Sequence, residues 1–460
     1  MTNLLLRFSL FIVICFSSGP IVLAQLTGFP AGKIDRSFGD RGNFLAQAGG
    51  ELPGITLPLP DGKVLWAHSF TSSSFGHSIG LTRLLADGQT DTSFGNGGGT
   101  IFSVGASAEL GFIQIQPDGK FLVAGNTIPD QNTQNRDLLA FKVNPDGTLD
   151  TSFGNNGFVI KDLPETGSSD ISNDLATSIL PLPNGKLLIG GVSTRTPMSS
   201  NQGTRSLFLL RLNSDGSFDD TFGQKGILQE PIGAYMGVSY DADATSLASY
   251  NDGSFIVSYA VNTHTDNGFG AQGYITKYLE NGAPDKGFAD KGRFTCTYGN
   301  PFNVTLCGRP LKILPDGNIM ARMPFALTRI TSNGVLDPTF GSSGVRLFNA
   351  LVGDFFIQNG LKILVTLVDY TPRTPPATHS RQIGQLTRIY SNGMVDLHFG
   401  IMGRTRIDYQ APPGTGLLND RDIYVGSILP VNERSVLVSS IYTNFSASGV
   451  ILLTKVNISK

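Results

Sequence analysis

Short apolar runs punctuated by Gly, Asp, Asn and Pro recur from one end of the chain to the other. Ile113-Gln114-Ile115 leads into Pro117-Asp118-Gly119-Lys120, and Phe121-Leu122-Val123 leads out. Runs of this kind between turn residues predict β-strands, and no segment carries the periodicity of a long amphipathic helix. The turn recurs as Pro60-Asp61-Gly62-Lys63, Pro183-Asn184-Gly185-Lys186 and Pro315-Asp316-Gly317. Weaker copies lie at Asn251-Asp252-Gly253 and Asn359-Gly360, and a degenerate one around Asn432-Glu433-Arg434. Pro presets the first turn residue, Asp or Asn tolerates the second, and Gly takes the left-handed third. That is the three-residue hairpin loop of a type I turn with a bulge.

A second punctuation is a Phe three residues after an Asp, with a Gly four residues beyond it. The phenylalanines are Phe38, Phe94, Phe153, Phe222, Phe288, Phe340 and Phe399, spaced by 56, 59, 69, 66, 52 and 59 residues. A period of about 60 residues fits one four-stranded propeller blade with its loops. In each repeat a basic residue stands eight positions before the Asp: Arg83/Asp91, Lys142/Asp150, Arg211/Asp219, Lys277/Asp285, Arg329/Asp337 and Arg388/Asp396. A seventh pair would join Lys455 to Asp35 from the other end of the chain. With Pro145-Asp146-Gly147 as a three-residue loop, Asn144 faces Thr148, Val143 faces Leu149 and Lys142 faces Asp150, so the charges are expected to meet across an antiparallel pair. Each such pair contributes on the order of 0.2 to 1 kcal/mol and fixes register. A group repeated seven times is structural rather than catalytic.

Strand A is expected to approach the Pro-Asp-Gly turn, strand B to leave it, strand C to carry the basic residue and strand D the Asp. The chain begins in a strand D around Ile34-Asp35 and ends in a strand C, so the N-terminal strand is expected to complete the last blade and remove its free edge. An open β-solenoid is the alternative; it needs caps at both ends, and none is visible. The pattern in Pro145-Asp146-Gly147-Thr148-Leu149-Asp150-Thr151-Ser152-Phe153-Gly154-Asn155-Asn156-Gly157 resembles the delta-60 repeat, over essentially all of residues 25–460. That resemblance implies an extracytoplasmic bacterial β-propeller and implies no particular reaction. The fold expected is all-β: a single seven-bladed propeller of four-stranded antiparallel blades. The repeat at Lys286-Gly287-Phe288-Ala289 departs from the pattern, as does the turn around Asn432.

Composition adds a compartment. Arg7 precedes an apolar stretch from Phe8 to Phe16, and Val22-Leu23-Ala24 supplies small residues before Gln25, so residues 1–24 read as a cleaved signal peptide and the mature protein as secreted or periplasmic. Ile14 before Cys15 is not the small residue that lipid attachment requires. The remaining cysteines, Cys296 and Cys307, are expected to form a local disulfide. A net charge of −2 with no basic run excludes the electrostatic footprint of a nucleic-acid binder. No second apolar stretch is long enough to cross a bilayer, so no membrane span is expected in the mature chain, and a monomer is expected.

In a propeller the A–B and C–D turns share one face, and the B–C turns and D–A connections the other. The second face collects the variable segments, including Ser69 to Gly80, Thr127 to Arg136, Val192 to Arg205, Asn262 to Gln272 and Tyr370 to Arg381. Variable loops on a rigid scaffold are the usual place for recognition. Candidate residues there are Arg136, Asp137, Asp170, Arg205, Tyr235, Asp241, Asp243, His264, Asp266 and Arg381, and none forms a spaced catalytic constellation. No pair among the five His has metal-ligand spacing, and Asp215-Gly216-Ser217-Phe218-Asp219-Asp220 lacks the alternating acids of a calcium loop. No cofactor is expected, and a bound calcium ion is kept as a minor alternative. The expected function is non-enzymatic binding of a protein or glycan through the variable-loop face. The alternatives are a carbohydrate-active hydrolase or lyase with acidic residues at the central channel, and a purely structural envelope or surface component.

Overall fold

A computed structural model of the chain describes residues 31–36, 38, 43–47, 54–72, 76–130, 135–163, 171–197, 203–235, 245–265, 268–296, 304–305, 308–358, 362–371, 381–407, 422–443 and 450–458. The signal segment, Cys307 and much of the variable-loop sequence lie outside these residues. Seven antiparallel sheets form seven blades in a ring, and no helix occurs among the described residues. Blade one comprises strands A to D at Ile55–Pro58, Val64–Ser72, Gly76–Leu84 and Gly99–Phe102, and blade two those at Ser107–Ile115, Phe121–Ile128, Asp137–Val143 and Phe158–Lys161. Blade three follows with Ile171–Pro181, Leu187–Thr196, Gly203–Leu212 and Ile227–Tyr235. Blade four has Ser246–Ser249, Phe255–Thr265, Gly268–Tyr278 and Arg293–Thr295, with Val304–Thr305 added parallel to its strand C. Blades five and six run through Gly308–Leu347 and Leu351–Ile407 in the same order. In blade seven Asp422–Asn432, Ser435–Thr443 and Val450–Asn457 pair in turn, and Asn43–Gln47 lies on the outer side with Asn43 opposite Thr454.

The core is not one mass but seven layers, each between neighbouring blades. Leu122 and Ala124 pack toward blade three, while Phe121 and Val123 pack toward blade one. The layer of Phe38, Leu429, Leu437, Leu453, Val64, Trp66 and Leu84 joins blade seven to blade one. A middle strand is thus covered on both faces, which is why strands B read as continuous apolar runs instead of an alternation.

The repeated polar residues lie at the turn end of each blade and bind it to the next. Asp91 accepts the Ser93 N–H and hydroxyl on Oδ1, and Lys63 Nζ at 2.9 Å and Arg83 Nε at 2.7 Å on Oδ2. The same guanidinium donates through Nη1 to Pro145 O in the C–D turn of blade two and lies 4.7 Å above the Phe94 ring. Arg211, Arg329 and Arg388 repeat this, pairing with Asp219, Asp337 and Asp396 and reaching Glu280 O, Ser391 O and Ile458 O of the following blade. Gly95 N–H, one residue past Phe94, donates to Asp146 O of blade two at 2.7 Å. That glycine sits at φ +55, and a Cβ on it would lie 2.2 Å from Gly99 O. The departure at Ala289 keeps the geometry: Ala289 takes φ +46 and still donates to Asn333 O at 2.8 Å.

At the seam the two chain segments divide one such turn between them. Asp35 meets Lys455 at 3.2 Å, Ile458 O takes Arg388, and Ala31 O takes the Gly400 N–H at 3.0 Å. These carbonyls hold the positions that Pro145 and Asp146 hold in blade two, counted from the basic residue and from the Asp.

Three expectations are corrected. The Asp does not lie in strand D: the carboxylate of Asp150 captures the Ser152 N–H and hydroxyl, the chain turns there, and strand D begins only at Phe158. Lys142 makes no ion pair with Asp150. Its ammonium goes to Ser214 O of blade three at 2.7 Å, and Asp150 takes Lys120 at 2.7 Å instead. A lysine has one charged nitrogen where arginine has a fork, so it serves the next blade or its own Asp, not both. Finally, Ser69 to Gly80, Val192 to Arg205 and Asn262 to Gln272 are largely hairpin ladder, the strands running to Ser72, Thr196 and Thr265 and resuming at Gly76, Gly203 and Gly268. Backbone pairing continues there through Ser, Thr and Gly because the ladder uses only main-chain groups. Lys277 and Asp285 lie 3.1 Å apart.

Hydrogen bonds from Ser93 and Lys63, with Arg83, hold the Asp91 carboxyl well below the usual range. Burial raises the Asp396 carboxyl, but hydrogen bonds from Lys362 and Tyr390 outweigh it and the net shift is also downward. A carboxyl whose folded pKa is depressed contributes stability that is complete above its unfolded pKa of about 3.9 and is lost as pH falls toward the folded value. Asp396→Asn is expected to cost about 3 kcal/mol at neutral pH, by leaving Arg388 buried without its counter-charge. Urea unfolding midpoints should show this deficit shrinking below pH 4.

Candidate functional site: a charged seam between blades two and three

The opposite ends of the strands carry polar groups that do not repeat. Arg136, just before strand C of blade two, exchanges backbone bonds with strand A of blade three: Arg136 N–H to Ser172 O at 2.9 Å and Asp174 N–H to Arg136 O at 2.8 Å. Its guanidinium Nη1 lies 2.6 Å from Glu109 Oε1 and 3.2 Å from Asn126 Oδ1, both half-exposed or buried on strands A and B of the same blade. Asp174 is fully buried and fully engaged, accepting Leu163 N–H at 2.9 Å, Ser193 Oγ at 2.7 Å and Arg195 Nη1 at 2.9 Å. Arg195 also donates to Leu163 O and stands 3.6 Å from Asp162. This pair holds the chain as it leaves strand D of blade two.

Asp137 sits beside that network, opposite Thr127 in the B–C ladder. Burial pushes its carboxyl up to about 6, the Asp162 and Asp174 carboxylates add to the rise, and Arg195 and Lys161 oppose it. A half-buried carboxyl that changes charge near neutral pH can donate or accept a hydrogen bond as conditions change, and such groups gather at functional sites. Asp354, between blades five and seven, differs. It accepts Ile428 N–H and Phe355 N–H at 2.7 Å each, and with Arg322, which donates to Gly353 O, serves as an inter-blade pin.

Of the candidates read from sequence, Arg136 and Asp137 come together here. Arg205 is buried in strand C of blade three opposite Thr194. Asp170, Asp241, Asp243 and Asp266 lie outside the described residues, as do the side chains of Tyr235, His264 and Arg381. Sequence reading missed Glu109, Asn126, Asp174 and Arg195. A bulge between Ala176 and Ser178 changes the facing of strand A in blade three, so parity from its apolar residues does not reveal which polar ones point inward. Asp215 accepts the Ser217 N–H and hydroxyl, an ordinary turn-stabilising arrangement. Among the described residues no cluster of three or more His, Cys, Asp or Glu is placed to hold a metal ion, and no helix is long and apolar enough to cross a membrane.

Residues 59–94, 116–153 and 182–222 match the family described as a domain of unknown function (DUF5122) beta-propeller. Each match runs from the A–B turn to the buried Phe of one blade, so the similarity to that family covers one segment in each of blades one to three. No curated protein matches the chain. Similar solved structures include a protein of unknown function from Dyadobacter fermentans, 11% identical, covering 91% of this chain and 98% of that one with a TM-score of 0.43. An α-L-arabinofuranosidase from Fusarium graminearum is 10% identical over 93% and 99% of the two chains, with a TM-score of 0.42. The β-propeller domain of the trilobed protease from Pyrococcus furiosus is 10% identical over 91% and 99%, with a TM-score of 0.38.

Because folding raises the Asp137 pKa, the folded protein loses stability as pH rises from about 4 to about 6, where the unfolded chain is ionised first. Asp137→Asn removes that loss. Urea midpoints are expected to show the variant more stable than wild type above pH 6, with the difference vanishing below pH 4.

Proposed function

We propose that this is an exported binding protein that holds a protein or glycan ligand at the loop end of the propeller and does not convert it. The observation that carries this reading is how charge is distributed. At the turn end, the repeated Asp side chains and most of their basic partners are committed to bonds within and between blades. At the loop end of blades two and three, the Glu109–Arg136 pair and, beside Asp162, Asp174 and Arg195, the Asp137 carboxyl are half-exposed and repeat nowhere else in the sequence. A charge pair beside a titrating carboxyl suits a polar partner surface with hydrogen-bond donors and acceptors. Export rests on residues 1–24, and we propose with it a Cys296–Cys307 disulfide, for which the full burial of Cys296 leaves the thiol no solvent-facing role.

The alternative is a carbohydrate-active hydrolase with Asp137 as the acid, favoured by the elevation of its pKa to about 6. The two separate in one experiment. Purified wild type, Arg136→Ala and Asp137→Asn are assayed by biolayer interferometry against purified glycans and surface proteins, with products followed by chromatography. Binding without turnover, weakened about tenfold or more by Arg136→Ala, is expected. Turnover abolished by Asp137→Asn supports the hydrolase instead. For the disulfide, non-reduced peptide mapping of exported protein is expected to show one cross-linked peptide joining Cys296 to Cys307, and free thiols at both positions contradict it.

A further inference from the structure

Blade one carries a cleft of about 990 Å³ along its outer edge, reaching from His68 and Phe70 in strand B to the C–D turn of blade two. Its character differs from that of the blade two–three seam. Trp66, His68 and Phe70 occupy alternate positions on one face of strand B and form a ladder of rings. The Trp66 and His68 rings stack with centroids 4.2 Å apart, and His68 and Phe70 lie 5.6 Å apart at a tilt of 48°. Gly80 on the neighbouring strand makes room for the ladder: a Cβ there would stand 2.8 Å from the His68 ring. Trp66 is buried, while His68 and Phe70 are half-buried and line the cleft. Burial lowers the His68 pKa, so the imidazole is uncharged at neutral pH and stacks as a neutral ring.

Beside the rings, the described lining mixes apolar Leu81, Ile101 and Leu149 with uncharged polar groups. Thr82, paired with Trp66 on the ladder's own face, brings a hydroxyl and Asn96 an amide, Thr100 lies on the other face beside Leu81, and no Lys, Arg or Glu is present. The one carboxylate, Asp146, is already occupied by the Thr148 N–H and hydroxyl at 2.9 and 2.7 Å. Aromatic faces flanked by uncharged donors and acceptors match a ring that has apolar C–H faces and hydroxyl edges. The volume is at the upper end of ordinary ligand sites, enough for more than one such ring.

We propose that this cleft binds a neutral oligosaccharide, with sugar rings stacked on Phe70 and His68 and their hydroxyls bonded to Thr82 and Asn96. No residue of the blade two–three seam lines it, so either site can fail without the other.

Trp66 is the single Trp of the chain and stacks directly on His68, so its emission reports events at the ladder. The test titrates the full mature protein with cello-, xylo-, manno- and laminarihexaose, and with hexagalacturonate as the charged comparison. A saturable change in Trp66 emission with at least one neutral hexasaccharide is expected, with affinity reduced about tenfold in Phe70→Ala and measurably in Thr82→Val. Thr82→Val leaves the aromatic ladder intact and keeps the test decisive if Phe70→Ala does not fold. Absence of any response to the four neutral sugars, a response to hexagalacturonate alone, or equal affinity in both variants overturns the proposal.

Discussion

One arginine side chain bonded to its own blade and to the next is the contact on which the architecture depends. In the guanidinium of Arg83, Nε serves Asp91 within the blade while Nη1 serves a main-chain carbonyl of blade two, and the flat group lies on the buried Phe94. A planar fork is suited to two partners at once in a way an ammonium is not. Desolvating such charges is costly, and here the cost is offset because the carboxylate collects four donors, from Ser93 N–H, Ser93 Oγ, Lys63 and Arg83. The apolar layers hold blades face to face without direction. The arginine in four blades, the Lys142 ammonium in blade two and the N–H that follows the buried Phe add direction, fixing one blade's turn against the next.

The seam between the chain's two ends shows how general that contact is. Ile458 O and Ala31 O receive the same two donors that Pro145 O and Asp146 O receive elsewhere, although no peptide bond links them to one another. Closing a ring by sharing one blade between distant segments removes its free edges, and the shared blade follows the same rules as the continuous ones.

Much of this was legible in the sequence because its cause is local and repeated. Turn residues gave the hairpin loops, and the eight-residue spacing gave the register that places Arg329 beside Asp337 at 2.7 Å. What was not legible depended on choices a spacing does not contain. Asp150 faces Lys142 across the ladder, yet its partner is Lys120, delivered from another strand by folding. The lysine after the Pro-Asp-Gly turn recurs at Lys63, Lys120 and Lys186, and each reaches the Asp of its own blade. The seam at Arg136 and Asp137 is assembled from two blades by a bulged strand, and a periodicity of two carries no information about which face a bulge selects. The ladder of Trp66, His68 and Phe70 was visible as an alternation, but the space beside it depends on a glycine in the neighbouring strand.

The scaffold uses its repeated charges for cohesion between blades. The most direct measurement of the central claim is amide hydrogen exchange followed by mass spectrometry, resolved to the Phe-Gly segments. Gly95, Gly154, Gly341 and Gly400 lie at a surface turn, but each donates to a carbonyl supplied by another blade at 2.7 to 3.0 Å. The account expects these amides to exchange as slowly as those of the buried middle strands. Exchange at the rate of ordinary exposed turns would contradict it.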